Sequence, residues 1–337
     1  MVKDPRWSQW LGSSPTKTSA RRAATRDREP KTLSTLLSLP LAGREETRLL
    51  GFWHMKIGLV GCGPWGANIL GDLRTLRCEV FVAARTSSSF ARAEKGSANA
   101  VVRSISCLHK FDCAGYVVTT EATNHANVLR ELVSLAKPIF VEKPMVTTIS
   151  DVEELALLKP ELIFVVELVR SGTLGEIYGI RTRRNQWGNP HTDCDAPWTL
   201  LPHDLSIVEE LIGGVPALNG VEFDASATEV FGLVARFGTR PWVVVESFSR
   251  APRPEREVLV FGSMGMAVLG GGYSEEVLHF TNGVKEPERI AATGEWPLLA
   301  ELREFVEYLN GGRAPRSSFT DGARHAWVIA EVLAWPR

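Results

Sequence analysis

Residues 56–76 read "KIGLVGCGPWGANILGDLRTL". Three residue patterns follow one another here, and each asks for a different backbone. Lys56 to Val60 is short, apolar and partly β-branched, the composition of a buried strand. Gly61, Gly63 and Gly66 then match the spacing G-x-G-x-x-G. From Ala67 onward Ile69, Leu70, Leu73 and Leu76 recur at helical spacing. A glycine triplet alone is weak, but one set between a strand and a helix is fairly specific for dinucleotide binding. Gly61 permits the tight turn, Gly63 lets the backbone approach a pyrophosphate, and Gly66 allows close helix–strand contact. Pro64 and Trp65 complete the loop, and the helix N-terminus offers free N–H groups to the anion.

The alternation of strand and helix continues downstream. "EVFVAAR" (79–85), "GYVVTT" (115–120) and "PIFVEKP" (138–144) are further strands at the spacing of parallel βαβ units. The expected fold is therefore α/β, beginning with a Rossmann domain built on a doubly wound parallel sheet. Ligands in such sheets sit at the carboxyl ends of the strands. That puts Thr119, Thr120, Thr123 and His125 on the cofactor side, with Glu142 and Lys143 leaving the same edge. Pro144 restricts Lys143 to extended conformations, so the turn is geometrically specified. About 20 residues beyond the glycines, where an acid would accept from the adenosine ribose, stand Arg85, Thr86 and Ser87. Arginine with two hydroxyls suits a 2′-phosphate, which favours NADP over NAD; Arg85 stacked on adenine or facing water is the alternative.

Beyond Asp151 the pattern changes. After a short helix, "DVEELALLK" (151–159), strands are expected at "ELIFVVELV" (161–169), "EIYGIRTRRNQW" (176–187), "ATEVFGLVARF" (227–237), "PWVVVESFS" (241–249) and "REVLVFGS" (256–263). Consecutive strands of alternating polarity predict an α+β domain with a largely antiparallel open sheet. Two amphipathic helices, "EWPLLAELREFVEYLNGG" (295–312) and "TDGARHAWVIAEVL" (320–333), are expected on the side of that sheet. The division is thus 55–152 for the dinucleotide-binding domain and 153–337 for a substrate and oligomerisation domain. Residues 1–54, rich in Ser, Thr, Arg and Pro without sustained periodicity, read as a disordered or spurious upstream extension.

Composition narrows the partners. With 337 residues, 44% hydrophobic and a net charge of −1, the chain presents no electrostatic case for nucleic acid or an anionic membrane. No apolar run is long enough to span a bilayer. The five cysteines, Cys62, Cys78, Cys107, Cys113 and Cys194, contain no C-x-x-C pair, which argues for the reducing cytoplasm and against structural zinc. Within "HTDCDAPWTLLPHDLSIVEEL" (191–211), His191, Asp193, Cys194, Asp195 and His203 are ligand types for zinc, but their spacing matches no metal pattern; no metal is expected.

"GLVGCGPWGAN", "VVTTEATNH" and "VEKPM" together resemble the nucleotide-binding half of the glucose–fructose oxidoreductase/inositol dehydrogenase (Gfo/Idh/MocA) family. "GCGPWGAN" is also similar to the W-G-x-N version found in nucleotide-sugar 3-dehydrogenases. The resemblance implies NAD(P)-dependent hydride transfer to or from a sugar or nucleotide-sugar hydroxyl. It makes Lys143 an active-site residue and sets Thr120, Thr123 and His125 against the cofactor, with Glu142 beside them. It also makes "LPHDLSI" the helix that carries the active-site histidine, His203, with Asp204 beside it; a capping or core histidine is the alternative. Trp187 and Thr199 join the substrate set, and the apolar strand faces of the second domain suggest a homo-oligomer through the open sheet. Three positions depart from the family. Glu121 replaces a proline, Thr199 stands where an aspartate often precedes the histidine, and the turn and helix after "IFVV" are abbreviated. The second and third keep open a cofactor-binding protein without turnover.

Overall fold

Ile57, Leu59 and Val60 are buried, as are Val80, Val82, Val117 and Val118, so neither face of these strands meets water. Strands with two apolar faces need helices on both sides, which is the parallel α/β solution. The computed structural model describes residues 55–158, 163–165, 174–189, 191–270, 276–291, 297–315 and 317–336. The expected extension, 1–54, and the abbreviated turn after "IFVV" lie outside them.

The first sheet is built from β1 (Lys56–Val60), β2 (Glu79–Ala83), β3 (Ala100–Val102), β4 (Gly115–Val118), β5 (Ile139–Val141) and β6 (Ile163–Val165), edged by a late strand, β15 (Ser317–Ser318). Their spatial order is β15-β6-β5-β4-β1-β2-β3. β1 to β6 are mutually parallel and only β15 runs against its neighbour. This is the doubly wound order, with its switch point between β1 and β4. Helices α1 (Pro64–Thr75), α2 (Ser87–Lys95), α3 (His125–Val133) and α4 (Ile149–Ala156) accompany it.

The second sheet comprises β7 (Ile177–Trp187), β8 (Leu218–Ala225), β9 (Val230–Phe237), β10 (Trp242–Phe248), β11 (Arg250–Gly262), β12 (Gly265–Leu269), β13 (Glu276–Thr281) and β14 (Glu288–Ala291). In the order β14-β13-β12-β11-β7-β10-β9-β8 all neighbours are antiparallel except β7 and β10. The helix α5 (Ala196–Ile212) packs Leu201, Leu205 and Val208 on Ile180, Leu233, Val243 and Val245 of this sheet.

The two C-terminal helices correct the expected packing. α6 (Pro297–Leu309) packs Leu302, Phe305 and Val306 into the core of the first sheet, with Ile69, Leu70 and Leu73 of α1 and Phe140 of β5. α7 (Phe319–Leu333) spans both cores: Phe319 and Ala326 meet Val152 and Leu155, whereas Ile329 and Val332 join the second sheet. Amphipathic periodicity identifies a helix and its apolar stripe but carries no address for the surface that stripe covers. The result is a second sheet tied to the first by a helix, with a cleft between them.

Candidate active site

The glycine loop shows three distinct roles. Gly61 has φ +95°, and a Cβ there would lie 2.8 Å from the Thr119 carbonyl oxygen. At Gly66 a Cβ would lie 2.5 Å from Thr119 Oγ1 and 3.0 Å from the Gly61 carbonyl oxygen, so the helix could not sit this close to the strand with any side chain. At Gly63 nothing stands within 4 Å of that position. Gly63 is also the N-cap of α1, with Pro64 in its first turn and no side chain capping the helix. The N–H groups at this end are therefore open to an anion in the space in front of Gly63.

That space is one end of a cavity of about 1270 Å³ that runs from the switch point to the second sheet. It exceeds the roughly 300–1,000 Å³ of an ordinary small-molecule pocket. Gly61, Gly63, Pro64, Trp65, Gly66, Arg85, Thr86, Thr120, His125, Glu142, Lys143, Thr199, His203 and Asp204 all border it. Two of the expected residues do not. Trp187 is 76% exposed at the end of β7. Thr123 is exposed, and its N–H and Oγ1 both donate to Asp193 Oδ2 at 2.9 Å, which commits its donors.

The cofactor side is completed by the exits of β2, β4 and β5. Arg85 and Thr86 follow β2, with Thr86 Oγ1 capping α2 by accepting from the Ser89 N–H at 3.1 Å. Arg103 borders the same end and lies 4.2 Å over the Phe90 ring. His125 is buried, its Nδ1 2.8 Å from the Pro144 carbonyl and its Nε2 3.1 Å from that of Thr120. It pins the loop after β4 to the E-K-P turn, and burial keeps its proton affinity below the ordinary value. Glu121 has φ −59° and ψ 143°, the backbone proline would impose, so the departure at this position leaves the chain path unchanged.

Glu142 and Lys143 leave β5 into the cavity. Burial pushes the Glu142 carboxyl up, opposed by a hydrogen bond from the Trp65 indole and by the charge of Lys143. Its Oε1 is buried without a hydrogen-bond partner among the described residues. A further carboxyl, missed in the sequence, comes from α6. Glu301 borders the cavity near Lys143 and Glu142, and burial pushes its pKa up to about 8 against the pull of Lys143.

The opposite wall is α5. The loop before it is fixed by Asn189, whose Nδ2 donates to the Cys194 carbonyl at 2.7 Å. Asn189 Oδ1 accepts from the His191 N–H at 3.2 Å and from Thr199 Oγ1 at 3.0 Å. Burial raises the Asp193 carboxyl, but its two bonds from Thr123 outweigh that and hold it below its ordinary range, latching this loop onto the first domain. Four residues beyond Thr199, His203 faces Lys143 across the cleft. Burial, then the charges of Lys143, Arg184 and Arg256, pushes its proton affinity well below the ordinary histidine value. These surroundings favour the uncharged imidazole, the form a proton acceptor needs, while making it a weaker base. Asp204 is 1% exposed and takes Arg184, with Nε 3.0 Å from Oδ2 and Nη2 3.4 Å from Oδ1. It is thus committed to Arg184 rather than to a ligand.

The comparisons with known proteins agree with this architecture. A search of curated protein sequences gave no match. Among solved structures, UDP-N-acetylglucosamine 3-dehydrogenase GnnA from Acidithiobacillus ferrooxidans superposes with a TM-score of 0.72 at 17% identity, over 83% of this chain and 96% of that one. The WlbA dehydrogenase from Bordetella pertussis, solved with NADH and UDP-GlcNAcA, gives 0.68 at 17% identity, over 83% and 95%. A levoglucosan dehydrogenase, solved with NADH and L-sorbose, gives 0.71 at 16% identity, over 83% and 96%. At these identities the likeness is one of fold. Residues 55–163 match the model described as "Oxidoreductase family, NAD-binding Rossmann fold". That model is the GFO_IDH_MocA model, so the resemblance of residues 55–163 to this family is one of the dinucleotide-binding domain.

Proposed function

We propose that the protein is a nicotinamide-dependent dehydrogenase or reductase acting on a hydroxyl or ketone of a sugar or nucleotide sugar. The observation that carries this reading is that one cavity joins the open glycine loop, Lys143 and His203. The residues fit the cofactor on three counts: the clear space before Gly63, the uncapped end of α1, and the partnerless Glu142 Oε1 at the carboxyl end of β5. Gly61 to Gly66 would hold the pyrophosphate, Arg85, Thr86 and Arg103 the adenosine end, and Thr120 and Glu142 the nicotinamide end. Two arginines and a threonine at the adenosine end favour NADP over NAD.

The bound cofactor supplies a hydride acceptor. The chain's own residues manage the proton and the charge. His203 takes the hydroxyl proton as the C–H bond of the same carbon breaks and the alcohol becomes a ketone. Lys143 orients that oxygen and stabilises the negative charge that develops on it. Run in reverse, His203 returns the proton. Sugar and nucleotide-sugar substrates are supported by the UDP-GlcNAcA and L-sorbose in the WlbA and levoglucosan dehydrogenase structures.

A second reading, a cofactor-binding protein without turnover, draws on Thr199. Its hydroxyl donates to Asn189, so no carboxylate at this position orients His203. A panel of free and nucleotide-linked sugars, with NAD and NADP and followed by cofactor absorbance, separates the two. Turnover with any member supports the dehydrogenase; tight cofactor binding with no turnover across the panel supports the second reading.

A further inference from the structure

The core-facing stripe of α6 begins on a carboxyl. Glu301, Phe305 and Leu309 follow one another at i, i+4 and i+8, so they lie on one face of the helix. Two of them close on the start of β4, where a Cβ on Gly115 would lie 2.9 Å from Leu309 and 3.1 Å from Phe305. Phe305 also meets Phe140 in the middle of β5, with ring centroids 5.6 Å apart. The helix therefore runs against the strands, and Glu301 lies about 6 Å beyond Phe305, towards their carboxyl ends. Alternation along β5 puts Glu142 on the same face as Phe140, and the Glu142 N–H still donates to the Val118 carbonyl at 3.1 Å. Glu142 and Glu301 thus share the face that α6 covers, one turn above the two phenylalanines, and both border the cavity. A carboxyl in such a place is costly unless something answers its charge. Lys143 answers it in part, while Glu142 and Glu304 oppose ionisation. α1 presents Trp65, Asn68 and Asp72 to the same cavity.

We propose that Glu301 discriminates between the oxidised and reduced forms of the nicotinamide cofactor, holding a negative charge against the cationic oxidised ring and a proton against the neutral reduced one. The proposal rests on the dehydrogenase reading, which sets the nicotinamide end beside Thr120 and Glu142. An oxidised nicotinamide ring carries a positive charge, and gaining a hydride removes it. A carboxyl held beside that ring, away from bulk water, titrates in response, because an opposite charge nearby favours its ionised form. The burial that raises Glu301 to about 8 brings this exchange close to neutral pH. On reduction the proton that returns to Glu301 comes from water; the proton that His203 takes from the substrate is a separate one. Rising pH therefore favours the oxidised cofactor, and falling pH the reduced one.

The test is calorimetric binding of NADP⁺ against NADPH, and of NAD⁺ against NADH, to the full chain near pH 6.5 and near pH 9. The adenosine half is the same within each pair and cancels in the ratio of reduced to oxidised Kd. In wild type that ratio should rise about tenfold between the two conditions, which corresponds to roughly one pKa unit between the two complexes. Near pH 8 the oxidised cofactor should release part of a proton on binding, read from the heats in two buffers of different ionisation enthalpy, and the reduced cofactor should not. Glu301→Gln cannot ionise and should lose most of both effects, whereas Glu301→Asp should keep part of them. Glu142 and Lys143 leave the same turn, and any pH dependence they cause survives in Glu301→Gln, so the difference between the two proteins reads Glu301. A wild-type ratio that stays constant with pH overturns the proposal without recourse to a variant. An equal rise in folded Glu301→Gln overturns it as well, and both results leave the dehydrogenase reading standing. Binding of neither cofactor form removes both. A rise that Glu301→Gln abolishes, in a protein that turns over no sugar, upholds the role of Glu301 and removes the dehydrogenase reading alone.

Discussion

The two walls of the cavity are built by opposite means. On the first-domain side, 61–66 is one continuous loop in which each glycine has a backbone reason: positive φ at Gly61, open space at Gly63 and helix contact at Gly66. On the second-domain side, Thr199 and His203 come from α5, Arg184 from β7 and Arg256 from β11. The first wall is local in sequence and the second is made by register. A local wall tolerates change elsewhere in the chain, whereas a register wall depends on every strand that sets it.

The largest expected effect breaks the local wall alone. Gly63→Val adds a side chain to space that is otherwise clear, so the fold and melting temperature should hold while cofactor affinity falls by about a hundredfold or more. Calorimetry checks it, and unchanged affinity would remove the pyrophosphate assignment.

Next comes Glu301, which α6 delivers to the cavity from neither wall. Its folded pKa is raised to about 8, so the folded state holds a proton that the unfolded chain gives up near the ordinary glutamate value. Its contribution to stability is fully present below that ordinary value and is lost as pH rises towards 8. Glutamine cannot ionise. Glu301→Gln should therefore come close to wild type near pH 4.5 and exceed it at pH 8–9 by on the order of 4 kcal/mol. Parallel denaturant titrations across that range check the prediction; a constant difference would mean the carboxyl is ordinary.

Arg85→Ala should weaken NADP about tenfold more than NAD if the guanidinium reads a 2′-phosphate. Equal losses would mean that it does not. The smallest effect sharpens the register wall. Thr199→Asp places a carboxylate one turn before His203, which raises the histidine's proton affinity. The base must be neutral to act, so activity falls as pH drops through its pKa. In wild type that acid limb should lie below the ordinary histidine pKa, and in the variant it should move upward. A pH profile of kcat/KM reads the shift directly.

This contrast also explains what the sequence disclosed. The glycine loop, the parallel strands and the E-K-P turn were legible because each is fixed by neighbours within a few residues, whereas the helix bearing His203 was expected only from the family resemblance. The bonds from Thr123 to Asp193 were not legible because the partner lies 70 residues away. Nor was the exposure of Trp187, because the last residue of a strand can leave the sheet towards solvent, which its residue type does not disclose. Strands β3, β8, β12, β13 and β14 went unread: β3 has three residues, and "LNGVEFDA" carries Asn, Gly and Asp inside an edge strand. Arg184 and Arg256 were visible as alternating polar residues, but nothing local says that they face each other. Glu301 was hidden for the same reason as the packing of its helix.

The central claim is that both walls serve one reaction, with the cofactor on the glycine loop and the proton and charge handled by His203 and Lys143. It is tested most directly by measuring cofactor binding and hydride transfer side by side in wild type, Lys143→Ala and His203→Ala. The account predicts cofactor affinities within about threefold of one another and turnover lowered by roughly 10²–10⁴ in each variant, with partial recovery of His203→Ala at high pH. Turnover equal to wild type in either variant, with cofactor affinity intact, would contradict it.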